Sequence, residues 1–321
     1  MNDMNYFLKL NFFTLLSFFL TFYSLKILSP KFRDFLIDKP NIRSSHQITK
    51  PTGGGITFVI SIIIISLFFN NLIPLLCLPI SLIGFLDDRY NLPASFRYLV
   101  QFATAAILVD TLPLSDELLS QFNPFISSCL IIILIIAATG IINFINFMDG
   151  LDGLVTGCLL LIFLTYAILY ELDMLVVVGS LFAFLIWNWD PAKIFMGDVG
   201  STFLGALFIG LTLNSNSYSD SFSMLIIGTP ILIDPLICIF RRFFNSQNIF
   251  KPHKLHLYQR LNQAGWSHSK VTLLYMLMTL ILCLTLIFWG IKISILFAFL
   301  ELFIGLYLDQ KIAKPFKYFR I

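Results

Sequence analysis

The chain has 321 residues, of which 58% are hydrophobic and 12% charged, and its mean hydropathy is +0.87. Soluble domains average roughly 45–50% apolar and about 25% charged residues, so this composition excludes a soluble globular, disordered or collagen-like protein. The formal charge of +3 by itself indicates no nucleic-acid partner. The five cysteines stand singly in apolar stretches without CxxC spacing, which is typical of packing residues.

Long apolar runs predict an all-α integral membrane protein that forms a single domain over residues 1–321. A helix needs about 20 apolar residues to cross a hydrocarbon core of roughly 30 Å, and we expect about eleven (ten or eleven) spans. In chain order the candidate spans are 6–28, 54–70, 72–86, 97–110, 125–146, 154–170, 173–189, 201–213, 222–241, 271–290 and 293–310. The second and third spans turn over only Asn70 and Asn71.

The distribution of positive charge predicts the orientation of these spans. Eighteen of the 21 Lys and Arg residues fall in segments that alternate crossings place on one side. These segments are 29–53, 87–97, 190–200, 241–270 and 311–321. The opposite loops, 111–124, 171–173 and 214–221, contain no Lys or Arg. By the positive-inside rule the basic side is cytoplasmic, which predicts an external N-terminus and an internal C-terminus.

Carboxylates and amides gather at the predicted cytoplasmic helix ends. The segment GFLDDR (84–89) ends the third span with Asp87 and Asp88, whose mutual repulsion predicts a cation or basic group nearby. A lone Asp-Asp pair is also typical of a solvated helix end.

The segment NFINFMDGLDGL (143–154) repeats Asn, Asn, Asp and Asp at every third position, which keeps them near one helical face. Polar groups that begin inside a span are costly unless they meet water, a metal or a ligand, so here a functional role is favoured.

The segment FMGDVGS (195–201) places Asp198 between glycines at the start of the eighth span. Mg²⁺ takes one or two carboxylates and completes its shell with water and phosphate, so Asp198 is a candidate ligand. Ser201 and Thr202 are an alternative interpretation of this segment, as caps of the following helix.

Two basic loops are predicted on the same cytoplasmic side as these acidic motifs. The loop 241–270 contains His253 and His256, and the loop 39–55 contains Arg43 beside a glycine run whose amides can approach phosphate. Contact of the first loop with anionic lipid is the alternative, and the HxxH pair lacks a sequence partner that would indicate zinc. Acids, imidazoles and cations that meet on one membrane face are typical of a Mg²⁺–diphosphate site.

The motifs of these loops resemble those of the polyprenyl-phosphate N-acetylhexosamine-1-phosphate transferases of glycosyltransferase family 4, which include phospho-MurNAc-pentapeptide transferase. They occur in the family's order over nearly the whole chain. The matching segments are PNIRSSH with GGG (40–55), GFLDDR (84–89), SFRYLVQ (95–101), NFINFMDGLDGL (143–154), FMGDVGS (195–201) and PHKLHLYQRL (252–261).

The resemblance implies that a sugar 1-phosphate moves from a UDP-sugar to undecaprenyl phosphate, with release of UMP, in the bacterial cytoplasmic membrane. It implies Asp198 and Asn146 as ligands of Mg²⁺, for which Mn²⁺ is a substitute. Catalytic roles are assigned to Asp87, Asp88, His253 and His256. Substrate binding is assigned to Asn143, Asp149, Asp152, Arg97 and Arg43. The resemblance allows a homodimer, which nothing in this chain specifies.

Two departures from the family pattern point to a branch. The acidic pair continues as Arg89-Tyr90-Asn91 without a third acid, and the histidine motif is HxxHLYQRL rather than HxHH. The HxxHxYQ form with PNxRSSH looks like the branch that initiates O-antigen or other surface polysaccharides, where some members use 6-deoxy-N-acetylhexosamines. The peptidoglycan enzyme is the alternative within the family.

Two questions stay open at the level of the sequence. The lipid phosphate either attacks in line or receives the sugar phosphate from an aspartyl-phosphate intermediate, and the acidic pair acts either as base or by positioning. A transporter or flippase of an anionic solute is the rival of another class, since intramembrane acids such as Asp234 and Glu301 often mark ion paths.

Overall fold

The structure is a computed structural model that describes residues 3–38, 49–113, 121–215, 217–249, 251 and 253–316. The predicted substrate residue Arg43 lies outside the described residues.

Helices make up nearly all the regular structure of the described chain, in agreement with the predicted fold class. They are α1 (Asp3–Phe35), α2 (Gly55–Ser66), α3 (Ile73–Leu76), α4 (Leu78–Tyr90), α5 (Ala94–Thr111), α6 (Pro124–Met148), α7 (Leu154–Leu169), α8 (Leu175–Asn188), α9 (Asp198–Leu213), α10 (Tyr218–Ile227), α11 (Thr229–Phe244), α12 (Leu257–Gln263), α13 (His268–Trp289) and α14 (Ile291–Lys311). Two short strands, β1 (Ile37–Asp38) and β2 (Lys50–Pro51), pair antiparallel with Ile37 opposite Pro51.

Every predicted span falls on a helix or a pair of helices, but the helices differ in length. Four are long and apolar enough to cross a membrane by length and composition: Met4–Phe35, α6, α13 and α14. The consecutive helices α10 and α11 qualify only as a pair, and they meet at a bend of 74°. Shorter apolar helices cover 55–69, 154–169, 172–188 and 198–213. The chain is therefore a multi-pass helical membrane protein, whereas the count of eleven spans stays a prediction.

The helix α9 lies at the centre of the fold. Every residue from Val199 to Leu213 is buried, which is the pattern of a helix that is apolar on all sides. By contrast, α6 and α14 bury only 17% of their most apolar windows, so most of their apolar surface faces outward, as expected for helices in contact with lipid.

Glycines allow neighbouring backbones to approach α9 closely. A Cβ atom on Gly84 of α4 would lie 2.5 Å from the carbonyl carbon of Asp198, and one on Gly205 would lie 2.9 Å from the Cα atom of Ile142 in α6. Small residues permit such close helix contacts within membranes. As a result, the polar ends of α4 and α6 converge on the first residue of α9.

This close contact predicts different effects of alanine at two glycines. Gly84→Ala should destabilise the protein by about 1–3 kcal/mol, because the new methyl group meets backbone atoms that have little room to move. Gly140→Ala in α6 is the matched control, since a Cβ there has no neighbour within 4 Å and alanine favours a helix interior by about 1 kcal/mol. Thermal unfolding of the purified variants in detergent measures both effects. Equal melting temperatures for the two variants would contradict the close contact.

Candidate active site

The start of α9 is held by an acid from another helix. The amides of Asp198 and Val199 donate to the two carboxylate oxygens of Asp88, at 2.9 and 3.3 Å. Gly197 has a φ of +73°, and a Cβ there would lie 2.3 Å from an Asp88 oxygen, so glycine is required on both counts. Burial and the Asp198 carboxylate raise the pKa of Asp88, and the two amides lower it in part.

The alternative interpretation of Ser201 and Thr202 as helix caps is wrong. The Ser201 hydroxyl donates to the Gly197 carbonyl at 3.2 Å, and the Thr202 hydroxyl donates to the Asp198 carbonyl at 2.6 Å. Both hydroxyls thus bond carbonyls one turn back, and the residue at the capping position, Gly197, has no side chain to accept an amide. Asp88 supplies the acceptor instead.

Arg97 at the start of α5 is the basic neighbour that the acidic pair predicts. Its Nη1 donates to Asp87 Oδ2 and lies 3.2 Å from Asp198 Oδ2. The other Asp87 oxygen accepts the amide of Leu92 at 2.7 Å, which ties the α4–α5 connection to the same acid. One guanidinium therefore joins two carboxylates that come from different helices.

The amides at the end of α6 have different partners. Asn146 donates to Asp198 Oδ1 at 3.1 Å and to Ser201 Oγ at 2.8 Å, so it belongs to the centre around Asp198. Asn143 donates to Gln101 Oε1 of α5 and to the Thr139 carbonyl, both at 2.8 Å. It therefore joins α6 to α5, and a role of Asn143 in substrate binding stays a prediction.

Asp149 follows α6 and lies close enough to Asp198 for the two carboxylates to repel each other. Burial is the main cause that raises the pKa of Asp149 to about 8, and the carboxylates of Asp198, Asp152 and Asp38 add to it. The group is thus mostly protonated at neutral pH when no cation is near. Carboxylates that repel one another beside amide oxygens form the hard donor set that Mg²⁺ prefers, so the residues around Asp198 fit this ion.

Asp152 occupies a separate and more basic environment. Its Oδ2 accepts the Ala192 amide at 2.9 Å and the Lys50 ammonium at 3.3 Å, and its Oδ1 lies 3.3 Å from His268 Nδ1. Burial raises the pKa of Asp152, but His268, the Ala192 amide and Lys50 together bring it below the usual range. Possible ligand atoms of Asp152, Asp190 and His268 all lie within 4.8 Å of one another.

The two predicted histidines lie side by side just before α12. Their ring centroids are 4.8 Å apart, and the His256 ring lies 6.1 Å from that of Phe147 in α6. Burial lowers the pKa of both imidazoles to about 3; the neighbouring imidazole and Arg242 add to this for His253, and Arg242 and Arg260 for His256. Both rings are therefore neutral at physiological pH.

Sequence reasoning missed several contacts of the histidine segment. Cys238 of α11 brings a thiol within 4.8 Å of ligand atoms of His253 and His256, although the sequence offered no partner for this pair. The Tyr258 hydroxyl donates to the Phe147 carbonyl at 2.8 Å, and a Cβ on Gly150 would lie 2.2 Å from that hydroxyl. The sequence shows Tyr258 and Gln259 after the histidines, but it does not show that Tyr258 contacts Phe147.

Fold and site together define a membrane-embedded helical protein in which carboxylates, amides, neutral imidazoles and a guanidinium meet at one end of the bundle. Residues 70–216 match glycosyl transferase family 4. A "Probable undecaprenyl-phosphate N-acetylglucosaminyl 1-phosphate transferase" of Bacillus subtilis (strain 168) is 30% identical over 269 residues, which cover 75% of this chain and 74% of that protein.

Two phospho-N-acetylmuramoyl-pentapeptide-transferases are similar to nearly the same degree. That of Staphylococcus saprophyticus is 30% identical over 70% of this chain and 80% of its own length. That of Staphylococcus aureus (strain bovine RF122) is 29% identical over 82% of this chain and 94% of its own length. The chain belongs to the polyprenyl-phosphate N-acetylhexosamine-1-phosphate transferases of glycosyl transferase family 4, as its motifs predict.

The raised pKa of Asp149 predicts a pH dependence of stability. A carboxyl that titrates near 8 when folded, against about 4 when unfolded, contributes stability that is fully present below pH 4 and is lost progressively as the pH rises from about 4 to about 8. The melting temperature of Asp149→Asn should therefore exceed that of the parent by a margin that grows between pH 5 and pH 9, in buffers with chelator. Parallel melting curves across this pH range would contradict the assignment.

Proposed function

We propose that the chain transfers a sugar 1-phosphate from a UDP-sugar to undecaprenyl phosphate, with release of UMP. The names of the relatives support the reaction class. The observation that carries the proposal is the centre at the start of α9, where Asp87 and Asp198 share Arg97 and where Asn146 bonds Asp198. Two carboxylates from different helices share one guanidinium there, so the acids can bind a divalent cation while the guanidinium binds the phosphate groups of a substrate.

Asp198 and Asn146 are the residues that would hold Mg²⁺, for which Mn²⁺ is a substitute. When bound, the ion supplies charge neutralisation of the diphosphate. Arg97 reaches both Asp87 and Asp198, and its guanidinium can exchange a carboxylate partner for phosphate oxygens by charge-assisted hydrogen bonds. These groups orient the lipid phosphate oxygen for in-line attack on the β-phosphorus of the UDP-sugar.

Asp87 and Asp88 have different roles in this proposal. Both Asp88 oxygens accept backbone amides of α9, so Asp88 places Asp198 rather than removing a proton. Asp87 pairs with Arg97, the guanidinium to which this proposal assigns the phosphate oxygens. A phosphate monoester has a second pKa near 6 and is mostly dianionic at neutral pH, so positioning contributes more than a base would.

The proposal includes the finer features that the sequence predicts. These are eleven spans in a single domain, an external N-terminus, a cytoplasmic site and a place in the bacterial inner membrane. The HxxHLYQRL motif favours the first membrane step of O-antigen or other surface polysaccharide synthesis. The staphylococcal relatives support the peptidoglycan substrate, UDP-MurNAc-pentapeptide, as the second candidate.

A transporter is less well supported than a transferase. The polar contacts join helix ends at one side of the bundle, whereas a solute path requires polar groups near the membrane midplane. Asp234, which an ion path would use, already accepts two backbone amides and a tyrosine hydroxyl. A transferase would release UMP, and a transporter would not.

The direct test incubates purified protein with undecaprenyl phosphate, Mg²⁺ and a panel of UDP-sugars that includes UDP-MurNAc-pentapeptide. We expect UMP release with one sugar class, and a loss of about 100-fold or more in Asp198→Asn, since removal of one electrostatic group at a reacting centre typically costs that much. Asp110→Asn, at the exposed far end of α5, is the control and should retain full activity. Retained turnover in Asp198→Asn would remove Asp198 from the metal role.

Asp88→Asn separates a base from a positioning residue. An asparagine accepts through only one of its two terminal atoms, so one amide at the start of α9 loses its acceptor and Asp198 shifts. We expect a loss of activity that is constant between pH 6 and 9. Recovery of the variant at high pH, where the lipid phosphate is fully dianionic, would support proton removal by Asp88 instead.

A further inference from the structure

Asp234 is a buried acid of α11 whose hydrogen bonds all lead to two neighbouring elements. The amide of Leu257 donates to its Oδ1 at 2.7 Å, and the amide of Tyr258 donates to its Oδ2 at 3.0 Å. The hydroxyl of Tyr275 in α13 also donates to Oδ2, at 2.7 Å. Only 6% of the residue is exposed. Asp234 thus fixes the backbone immediately after His256 to two helices of the bundle.

The same backbone carries His256 towards the end of α6. His256 Nδ1 lies 3.8 Å from Asp234 Oδ1 and has no hydrogen-bond partner within the described part of the chain. The Tyr258 hydroxyl bonds the Phe147 carbonyl, between Asn146 and Asp149 in sequence. The backbone that carries the imidazole is therefore held at two points. Asp234 binds it from α11, and Tyr258 connects it to the end of α6, which leads into the NFINFMDGLDGL motif.

A second buried acid shows that burial alone does not create this arrangement. Glu301 of α14 lines the same cavity of about 280 Å³ as Asp234 and is also 6% exposed. Neither Glu301 oxygen has a hydrogen-bond partner among the residues described. Of these two acids at one cavity, Asp234 accepts hydrogen bonds from the segment that follows His256, and Glu301 does not.

We propose that Asp234 is the positioning residue of His256. Its two accepted amides set the backbone on which the imidazole stands, and its carboxylate faces Nδ1, so that Nε2 is the nitrogen left for the substrate. The inference rests on the proposed function, because it assigns His256 a contact with substrate in that reaction.

A double-mutant cycle tests positioning against a merely structural role. Asp234→Asn should lower kcat by about 10- to 100-fold, the usual effect of removing a group that orients a functional histidine. In the His256→Ala background the same substitution should cost little more, because the ring it positions is absent. An equal cost in both backgrounds would overturn the proposal. Glu301→Gln, at the same cavity, is the matched control and should retain parental kcat.

A chemical readout tests the inference without any turnover. Modification of His256 by diethyl pyrocarbonate, followed by mass spectrometry of peptides, should be slow in the parent, where the residue is 4% exposed, and at least several-fold faster in Asp234→Asn. His268, whose side chain is 16% exposed, is the internal control and should react equally in both proteins. Unchanged protection of His256 in Asp234→Asn would overturn the proposal.

These two measurements separate the inference from the proposed function. If the parent releases no UMP with any UDP-sugar, the proposed function fails, while the modification rates still report on the anchor. If Asp234→Asn does not give monodisperse protein, Tyr275→Phe removes only one of the three donors and keeps the acid. We expect this variant to show a smaller increase in His256 modification, and no increase would count against the proposal.

Discussion

The site depends on three half-buried carboxylates, two from the end of α4 and one from the start of α9, that gather beside one guanidinium. Asp87 and Asp198 share Arg97, and Asp88 is compensated by two backbone amides. Such a group of acids is costly in a membrane protein unless each oxygen has a partner. The glycine contact between α4 and α9 brings these partners within hydrogen-bonding distance, so scaffold and site require each other.

The chemistry follows from the different surroundings of similar residues. Burial among other acids raises the pKa of Asp149 to about 8, whereas His268 and Lys50 help to bring that of Asp152 below its usual range. Asp149 can therefore give up its proton when a cation binds, whereas Asp152 stays an anion that can accept hydrogen bonds from a polar ligand. His253 and His256 are neutral because they are buried, so they add polar ring nitrogens without adding charge.

The sequence predicted the helices and the convergence of the motifs, because apolar run length and charge sidedness are local properties. It also predicted a basic group beside Asp87 and Asp88, although not that Arg97 is shared with Asp198. Contacts between distant segments could not be predicted. Asp88 as the acceptor at the start of α9, Gln101 as the partner of Asn143, and Cys238 beside the histidines all depend on how helices pack. The bend of 74° between α10 and α11 has the same origin.

In the proposed reaction, the carboxylate of Asp198 would hold a divalent cation against the diphosphate of the donor. Pulsed electron paramagnetic resonance with Mn²⁺ in place of Mg²⁺ measures the coupling between the bound ion and ³¹P of a UDP-sugar. We expect this coupling in the parent protein and its loss in Asp198→Asn, at concentrations where the parent is saturated. An unchanged coupling in Asp198→Asn would contradict the account.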